Sequence, residues 1–179
     1  MANLWHDLPP GPDAPAVVYV IVEIPKRSRN KYEYDKRDGF VKLDRVLYSS
    51  LHYPGDYGFI PRTYYDDGDP LDILVMTNEP TFPGCVIEAR PIGIFRMRDR
   101  DVPDDKILAV PATDPLFEGY TSLENVPPHF LAEVTHFFSV YKDLQHIGVE
   151  PLGWEGREPA LAEIRRSIAL YASRSTEAD

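Results

Sequence analysis

Asp66-Asp67-Gly68-Asp69-Pro70-Leu71-Asp72-Ile73-Leu74-Val75 places four carboxylates within seven residues, directly ahead of an apolar run. Gly68 and Pro70 lie inside the cluster, and a short strand is expected over 71–76. Carboxylates this close repel one another unless cations or protons compensate them, and hard divalent ions take oxygen ligands of this kind. A single Asp-rich loop could equally be a solvated acidic turn. A second cluster, Asp99, Asp101, Asp104 and Asp105 just before Lys106, weighs against that: the two stretches hold eight of the chain's 29 acidic residues, each beside a strand-like segment. The motif is not an EF-hand calcium loop, because Leu71 stands where a third acidic ligand is needed and Asn78 where the closing Glu should be. In an extended stretch Asp67 and Asp69 point the same way, Asp72 opens a strand facing them, and Pro70 stiffens the middle.

The alternation of turn residues and short apolar runs continues in both directions. Val17-Val18-Tyr19-Val20-Ile21-Val22 is a continuous β-branched and aromatic run closed by Pro25, the pattern of a buried strand. Tyr32, Tyr34 and Phe40-Val41-Lys42-Leu43 flank Asp38-Gly39, a hairpin-turn dipeptide. Further strands are expected at 57–61, 85–98 and 107–110, and the 18 prolines punctuate these elements throughout the chain. Helical spacing appears late. Phe130, Leu131, Val134, Phe137, Phe138, Tyr141 and Leu144 follow Pro127-Pro128, and Leu161, Ile164, Ile168 and Tyr171 follow Pro159. Many short strands followed by two helices predict a mainly β fold with α, a small barrel with two C-terminal helices packed on the outside. Residues 1–15, with four prolines, read as an irregular N-terminal arm, and 16–175 as a single domain. The first helix carries more apolar surface than one barrel contact needs, which predicts a homo-oligomer contact with His136 near its boundary.

A length of 179 residues with 43% hydrophobic and 27% charged residues suits one soluble domain. The lone cysteine, Cys85, permits no internal disulfide and is expected as a small core residue. No basic leader or bilayer-length apolar segment is apparent, so the expectation is a cytoplasmic protein without membrane association. A net charge of −10 argues against general nucleic-acid binding. Residues 26–45 nevertheless hold eight of the 19 basic residues. One cationic segment and two carboxylate clusters would suit an anionic substrate held partly by side chains and partly by bound metal.

Asp67-Gly68-Asp69-Pro70-Leu71-Asp72-Ile73 resembles the signature of the family I soluble inorganic pyrophosphatases, Mg²⁺-dependent enzymes that hydrolyse diphosphate to two orthophosphates. The resemblance extends in family order through Val22-Glu23-Ile24-Pro25, Lys31-Tyr32-Glu33, Asp44-Arg45, Tyr53-Pro54 with Tyr57-Gly58, Pro91-Ile92-Gly93, Asp99 to Lys106 and Tyr141-Lys142-Asp143. It implies a closed OB-like β-barrel and several Mg²⁺ ions per active site. Asp67, Asp72 and Asp104 would hold one metal, with Asp72 shared with a second; Asp99 and Asp104 would bind an ion arriving with substrate; Glu23 with Glu33 would contact another through water. Asp69 would be the general base, and Lys31, Arg45, Tyr57, Lys106, Tyr141 and Lys142 would contact the phosphates. The compact length looks like the bacterial type, whose members form hexamers.

Taken singly, these residues have plainer readings: Glu23 as a polar strand end, Lys31 and Arg45 as solvated charges, Tyr57 and Tyr141 as amphipathic core residues. Gly55-Asp56, between Tyr53 and Tyr57, departs from the family pattern. The competing functions are a nucleic-acid-binding barrel, which calls for a basic, aromatic face, and a hydrolase of nucleotides or longer polyphosphates, which calls for a base pocket that no Gly-rich loop here supplies. No Gly-x-Ser-x-Gly elbow supports a nucleophilic hydrolase.

Overall fold

A strand buried on both faces reads as a continuous apolar run, and strand β1 (Val18–Ile24) is one: Val18, Val20, Ile21, Val22 and Ile24 are all at most 1% exposed. The structure, a computed structural model, describes residues 3–176. After β1 come β2 (Asn30–Tyr34), β3 (Val41–Val46), β4 (Asp56–Phe59), β5 (Asp72–Val75), β6 (Val86–Asp99), β7 (Val102–Pro103) and β8 (Lys106–Pro111). Helix α1 (Leu4–Asp7) precedes them, and α2 (Pro128–Val140), β9 (Val149–Glu155) and α3 (Arg157–Thr176) follow. The fold is mainly β with few helices. β2 and β3 form a separate two-stranded sheet; the other strands form a seven-stranded one.

Hydrogen-bonded neighbours in the large sheet run β1-β4-β5-β8-β6, and β6 pairs back with β1. Only β5 and β8 are parallel among these five pairings. Residues on these strands divide alternately between two apolar clusters. Ile73, Val75, Ile107 and Ala109 join one that contains Ala160 and Ile164 of α3; Leu74, Leu108 and Val110 join another that contains Val134, Phe137 and Phe138 of α2. Each late helix therefore covers its own cluster.

β6 changes partners along its length, pairing with β1 over Val86–Ala89 and with β9 over Ile94–Asp99. Pro91 lies between these stretches, where a strand loses nothing by lacking an N–H. The register against β8 shifts between Pro91 and Gly93, and a Cβ on Gly93 would lie 2.4 Å from Leu123 Cδ2. Pro91-Ile92-Gly93 is thus a bulge with a helical turn packed hard against it.

Several elements differ from the sequence reading. The expected irregular arm contains α1, whose N-terminus is capped by the Asn3 side chain accepting from Trp5 and His6 N–H. Trp5 is buried against Ile21, Tyr34 and Phe59, and its indole N–H donates to the Thr63 carbonyl at 3.0 Å. Met1 and Ala2 lie outside the described residues. The two late helices are not consecutive: β9 intervenes, and its Pro151 and Gly153 sit at a register shift against β6 that erased the alternating pattern. The hairpin connection spans Asp35 to Phe40 and is organised by the Asp35 carboxylate accepting from Arg37 and Asp38 N–H, with Gly39 at φ 74°. Leu144 is 60% exposed, so the apolar stripe of α2 ends at Tyr141. Phe137 and Phe138 are core residues, 3% and 1% exposed, while Phe130, Leu131 and Val140 of the same helix are half-buried and His136 is exposed. Cys85 is half-buried ahead of β6 and is not part of a core cluster.

β1 and β4 approach so closely at Gly58 that a Cβ there would lie 1.9 Å from the Ile21 carbonyl oxygen. Gly58→Ala is expected to lower stability by about 1–3 kcal/mol, since backbone and not a flexible side chain must give way. A thermal or urea unfolding curve matching the parent's would contradict this close approach.

Candidate active site

Glu23 is the extra residue of a β-bulge: Val22 pairs with Gly58 and Ile24 with Tyr57, leaving Glu23 without a partner. Bulges re-aim side chains. This one turns a carboxylate into the protein, where Glu23 Oε1 accepts the Tyr34 N–H at 2.8 Å. Lys31 and Glu33, two apart on β2, line the same cavity as Glu23.

The acidic motif is a compact turn and not the extended stretch expected. Tyr65 N–H donates to the Asp69 carbonyl at 2.7 Å, Gly68 N–H returns to the Tyr65 carbonyl at 3.0 Å, and Gly68 takes φ 87°. The Asp69 N–H donates to Asp67 Oδ1 at 2.9 Å. Asp72 then opens β5. One step before the parallel pair Ile73–Ile107, it lies beside Lys106, whose Nζ sits 2.6 Å from Asp72 Oδ2 and 2.5 Å from Asp104 Oδ1. Tyr57 on β4 donates its hydroxyl to the same Asp72 oxygen at 2.6 Å. Asp56, next to it, is fully buried, with its carboxylate accepting from Lys26 N–H and from Thr81 N–H and hydroxyl. The Gly55-Asp56 departure therefore anchors the approach to Tyr57.

Eleven of the thirteen residues singled out from sequence line one cavity of about 200 Å³: Glu23, Lys31, Glu33, Tyr57, Asp67, Asp69, Asp72, Asp104, Lys106, Tyr141 and Lys142. Asp99, at the end of β6, lies in an adjoining depression with Asp67 and Asp104, and pairs with Lys142 at 2.5 Å. Arg45 sits opposite Lys31 on β3, outside the cavity wall, 3.9 Å from Asp44. Lys36, one of the basic residues of the 26–45 segment, also lines the cavity and holds Asp69 Oδ1 at 2.8 Å. Its place on an irregular connection left no periodicity to flag it.

Crowding and burial shift these groups. Burial, assisted by the Asp72 charge and opposed by the Tyr34 N–H, pushes Glu23 up to about 7. Burial and the neighbouring Asp72, Asp69 and Asp104 charges push Asp67 up to about 6, against the Asp69 N–H. Burial raises Asp104 as well, Lys106 opposing, because that one ammonium is shared with Asp72. Burial alone would lower Lys106, but Asp72 and Asp104 outweigh it and keep it charged. Tyr57 is raised by burial and by Asp72, so its hydroxyl remains a donor.

The donors are all oxygen, the chemistry a hard divalent ion takes. One buried oxygen, Asp99 Oδ1, has no hydrogen-bond donor; Arg100 Nε is 3.6 Å away. Among the described residues no three carboxylate, histidine or cysteine side chains form a ready-made ligand set, and Asp72 and Asp104 converge on Lys106. The donor set fits a divalent cation by its chemistry and its excess of negative charge.

Because the folded state raises Glu23 from 4.5 to about 7, this group's stabilising contribution is complete below about pH 4.5 and is lost as pH rises through about 7. Glu23→Gln, which keeps an acceptor for Tyr34, should stabilise the metal-free protein at pH 8 by about 1–3 kcal/mol and have little effect near pH 4.5. Thermal unfolding at the two pH values checks this, and equal midpoints at pH 8 would mean the carboxylate is not penalised.

Comparison with known proteins identifies the family. The family model described as inorganic pyrophosphatase matches residues 20–172. The chain is 51% identical to the inorganic pyrophosphatase of Haloferax volcanii over 172 residues, covering 96% of this chain and 97% of that one. It is 52% identical to that of Methanosarcina acetivorans over 156 residues, 87% and 93% of the two chains. The crystal structure of inorganic pyrophosphatase from Thermus thermophilus superimposes with a TM-score of 0.92 at 45% identity, over 96% of this chain and 99% of that one.

Proposed function

The chain belongs to the inorganic pyrophosphatase family, an inorganic diphosphatase, and on that premise we propose that it hydrolyses diphosphate with Mg²⁺ in the cavity bounded by the Asp67–Asp72 turn. The observation that carries this reading is one wall on which Glu23, Glu33, Asp67, Asp69, Asp72 and Asp104 face Lys31, Lys36, Lys106 and Lys142. Carboxylates alone would repel diphosphate, and lysines alone would hold it without activating water.

Asp67, Asp72 and Asp104, with Asp99, Glu23 and Glu33, would hold several Mg²⁺ ions. Bound there, Mg²⁺ would neutralise phosphate oxygens and acidify water. Asp69 accepts the proton as water attacks one phosphorus and the bond to the bridging oxygen breaks. Lys36 fixes one Asp69 oxygen, orienting the base. Lys31, Lys106, Lys142 and the hydroxyls of Tyr57 and Tyr141 hold the phosphates and stabilise charge on the departing orthophosphate, and Arg45, beside Lys31 but outside the cavity wall, would join them only by turning inward.

The wider reading is of one domain over 16–175, built on a closed OB-like barrel that the ring of five strand pairings supports. No helix among the described residues is long and apolar enough to cross a membrane. We read the protein as cytoplasmic, bacterial in type, without nucleic-acid or membrane partners, and homo-oligomeric, a hexamer by family resemblance.

Phosphate release from diphosphate should require Mg²⁺ and stop on chelation, with ATP and tripolyphosphate poor substrates. Release that persists in chelator would refute the metal reading, and faster release from ATP would favour a nucleotide hydrolase. Calcium in place of Mg²⁺ should inhibit, because it tolerates looser coordination than the smaller octahedral ion; full turnover with Ca²⁺ contradicts this. Asp69→Asn should lower kcat at least about 10²-fold while keeping most Mg²⁺ affinity. A kcat within a few-fold of the parent would move the base role elsewhere.

A further inference from the structure

Asp105 takes no part in the chemistry above, yet its side chain is 7% exposed against 16% for Asp104. Adjacent side chains leave an extended backbone on opposite faces. Asp104 faces the cavity, and Asp105 faces the rear, towards α3. There Asp105 Oδ2 accepts from the Tyr65 hydroxyl and from Arg96 Nη1, both at 2.7 Å, and Oδ1 accepts the Met97 N–H at 3.1 Å.

Tyr65 works at both ends. Its backbone N–H and carbonyl make the two bonds that close the acidic turn, while its hydroxyl crosses to Asp105 on the other acidic segment. Burial and the Asp105 bond raise the phenol above its usual range, so it remains the donor. Arg166 of α3 lies over the Tyr65 ring at 5.3 Å and pairs with Asp66 at 2.8 Å and Glu163 at 2.6 Å; Glu163 in turn meets Arg96 at 3.2 Å. The β5–β8 ladder starts at Ile73–Ile107 and so aligns Asp72 with the second segment, but it does not reach the turn that carries Asp67. Behind the cavity, the Tyr65–Asp105 bond spans that gap.

We propose that Asp105, held by Arg96 and acting through the Tyr65 hydroxyl, is a positioning residue that sets Asp67 against Asp104 and thereby sets divalent-ion affinity. This rests on the reading of Asp67, Asp72 and Asp104 as metal ligands. A merely structural ion-pair network predicts something different: lower stability with unchanged affinity in the folded protein.

The test is Mg²⁺ titration of the metal-free protein by calorimetry, with thermal unfolding alongside, for the parent, Tyr65→Phe, Asp105→Asn, their double variant and Asp72→Asn. Tyr65→Phe keeps the ring under Arg166 and removes only the hydroxyl. It should weaken Mg²⁺ binding about tenfold or more, as loss of partners behind metal ligands does. The double variant should be no weaker than the more affected single one, because both cut the same link. Unchanged Mg²⁺ affinity in folded Tyr65→Phe, with Asp72→Asn weakened, overturns the positioning role alone. Unchanged affinity in Asp72→Asn overturns the ligand assignment and the positioning role with it. If Asp105→Asn does not fold, Tyr65→Phe decides.

Discussion

The ammonium of Lys106, 3% exposed and shared between Asp72 and Asp104, is the contact on which the site end of the molecule depends. A buried cation without partners is strongly destabilising, and two carboxylates plus the Tyr57 and Phe138 rings at 5.7 and 5.8 Å keep this one charged. One cation cannot neutralise the whole wall. Lys36 is engaged by Asp69, Lys31 by Asp44 and Lys142 by Asp99, which leaves Glu23 and Asp67 to absorb the remaining repulsion as raised pKa values.

That arrangement follows from backbone geometry more than from any single side chain. The parallel β5–β8 pairing sets Asp72 beside Lys106, and the β4–β5 pairing of Tyr57 with Leu74 brings the Tyr57 hydroxyl to the same carboxylate. The bulge at Glu23 turns one residue of an otherwise apolar strand into the cavity. Each device is local, and the β1–β4 pairing that holds the bulge depends on the close approach of Gly58 to Ile21, which a larger residue would block.

Much of this was legible in the sequence wherever residue type and spacing were periodic or clustered. The buried runs of β1 and β5, the stripe of α2 and the clustering of aspartates all obey simple patterns, and family resemblance proposed roles for the polar residues between them; that the aspartates sit on a compact turn was not among them. What escaped was set by tertiary context. β9 pairs with the outer edge of β6 despite Pro151 and Gly153, a pattern that reads as loop. Lys36 sits on an aperiodic connection, and nothing local ties it to Asp69, 33 residues away. Asp105 looked like one more member of an acidic cluster; only the direction of its side chain separates it from Asp104. The aromatics of α2 looked excessive for one contact because the sequence does not reveal how much surface Tyr53, Tyr57 and Phe95 present to them.

The chain's net charge of −10 and an anionic substrate are compatible because charge acts locally at this site. Long-range repulsion is screened within about 8–10 Å at physiological ionic strength, while contacts inside a cavity are screened much less. Carboxylates that share too few lysines can be relieved in two ways, by taking up protons or by taking up cations. Glu23 at about 7 and Asp67 at about 6 place the proton route just below neutrality, so at neutral pH and above the repulsion favours a divalent ion. The same electrostatic crowding that destabilises the metal-free fold is therefore a source of metal affinity, and Lys106 limits it by occupying the point where Asp72 and Asp104 would otherwise repel without compensation.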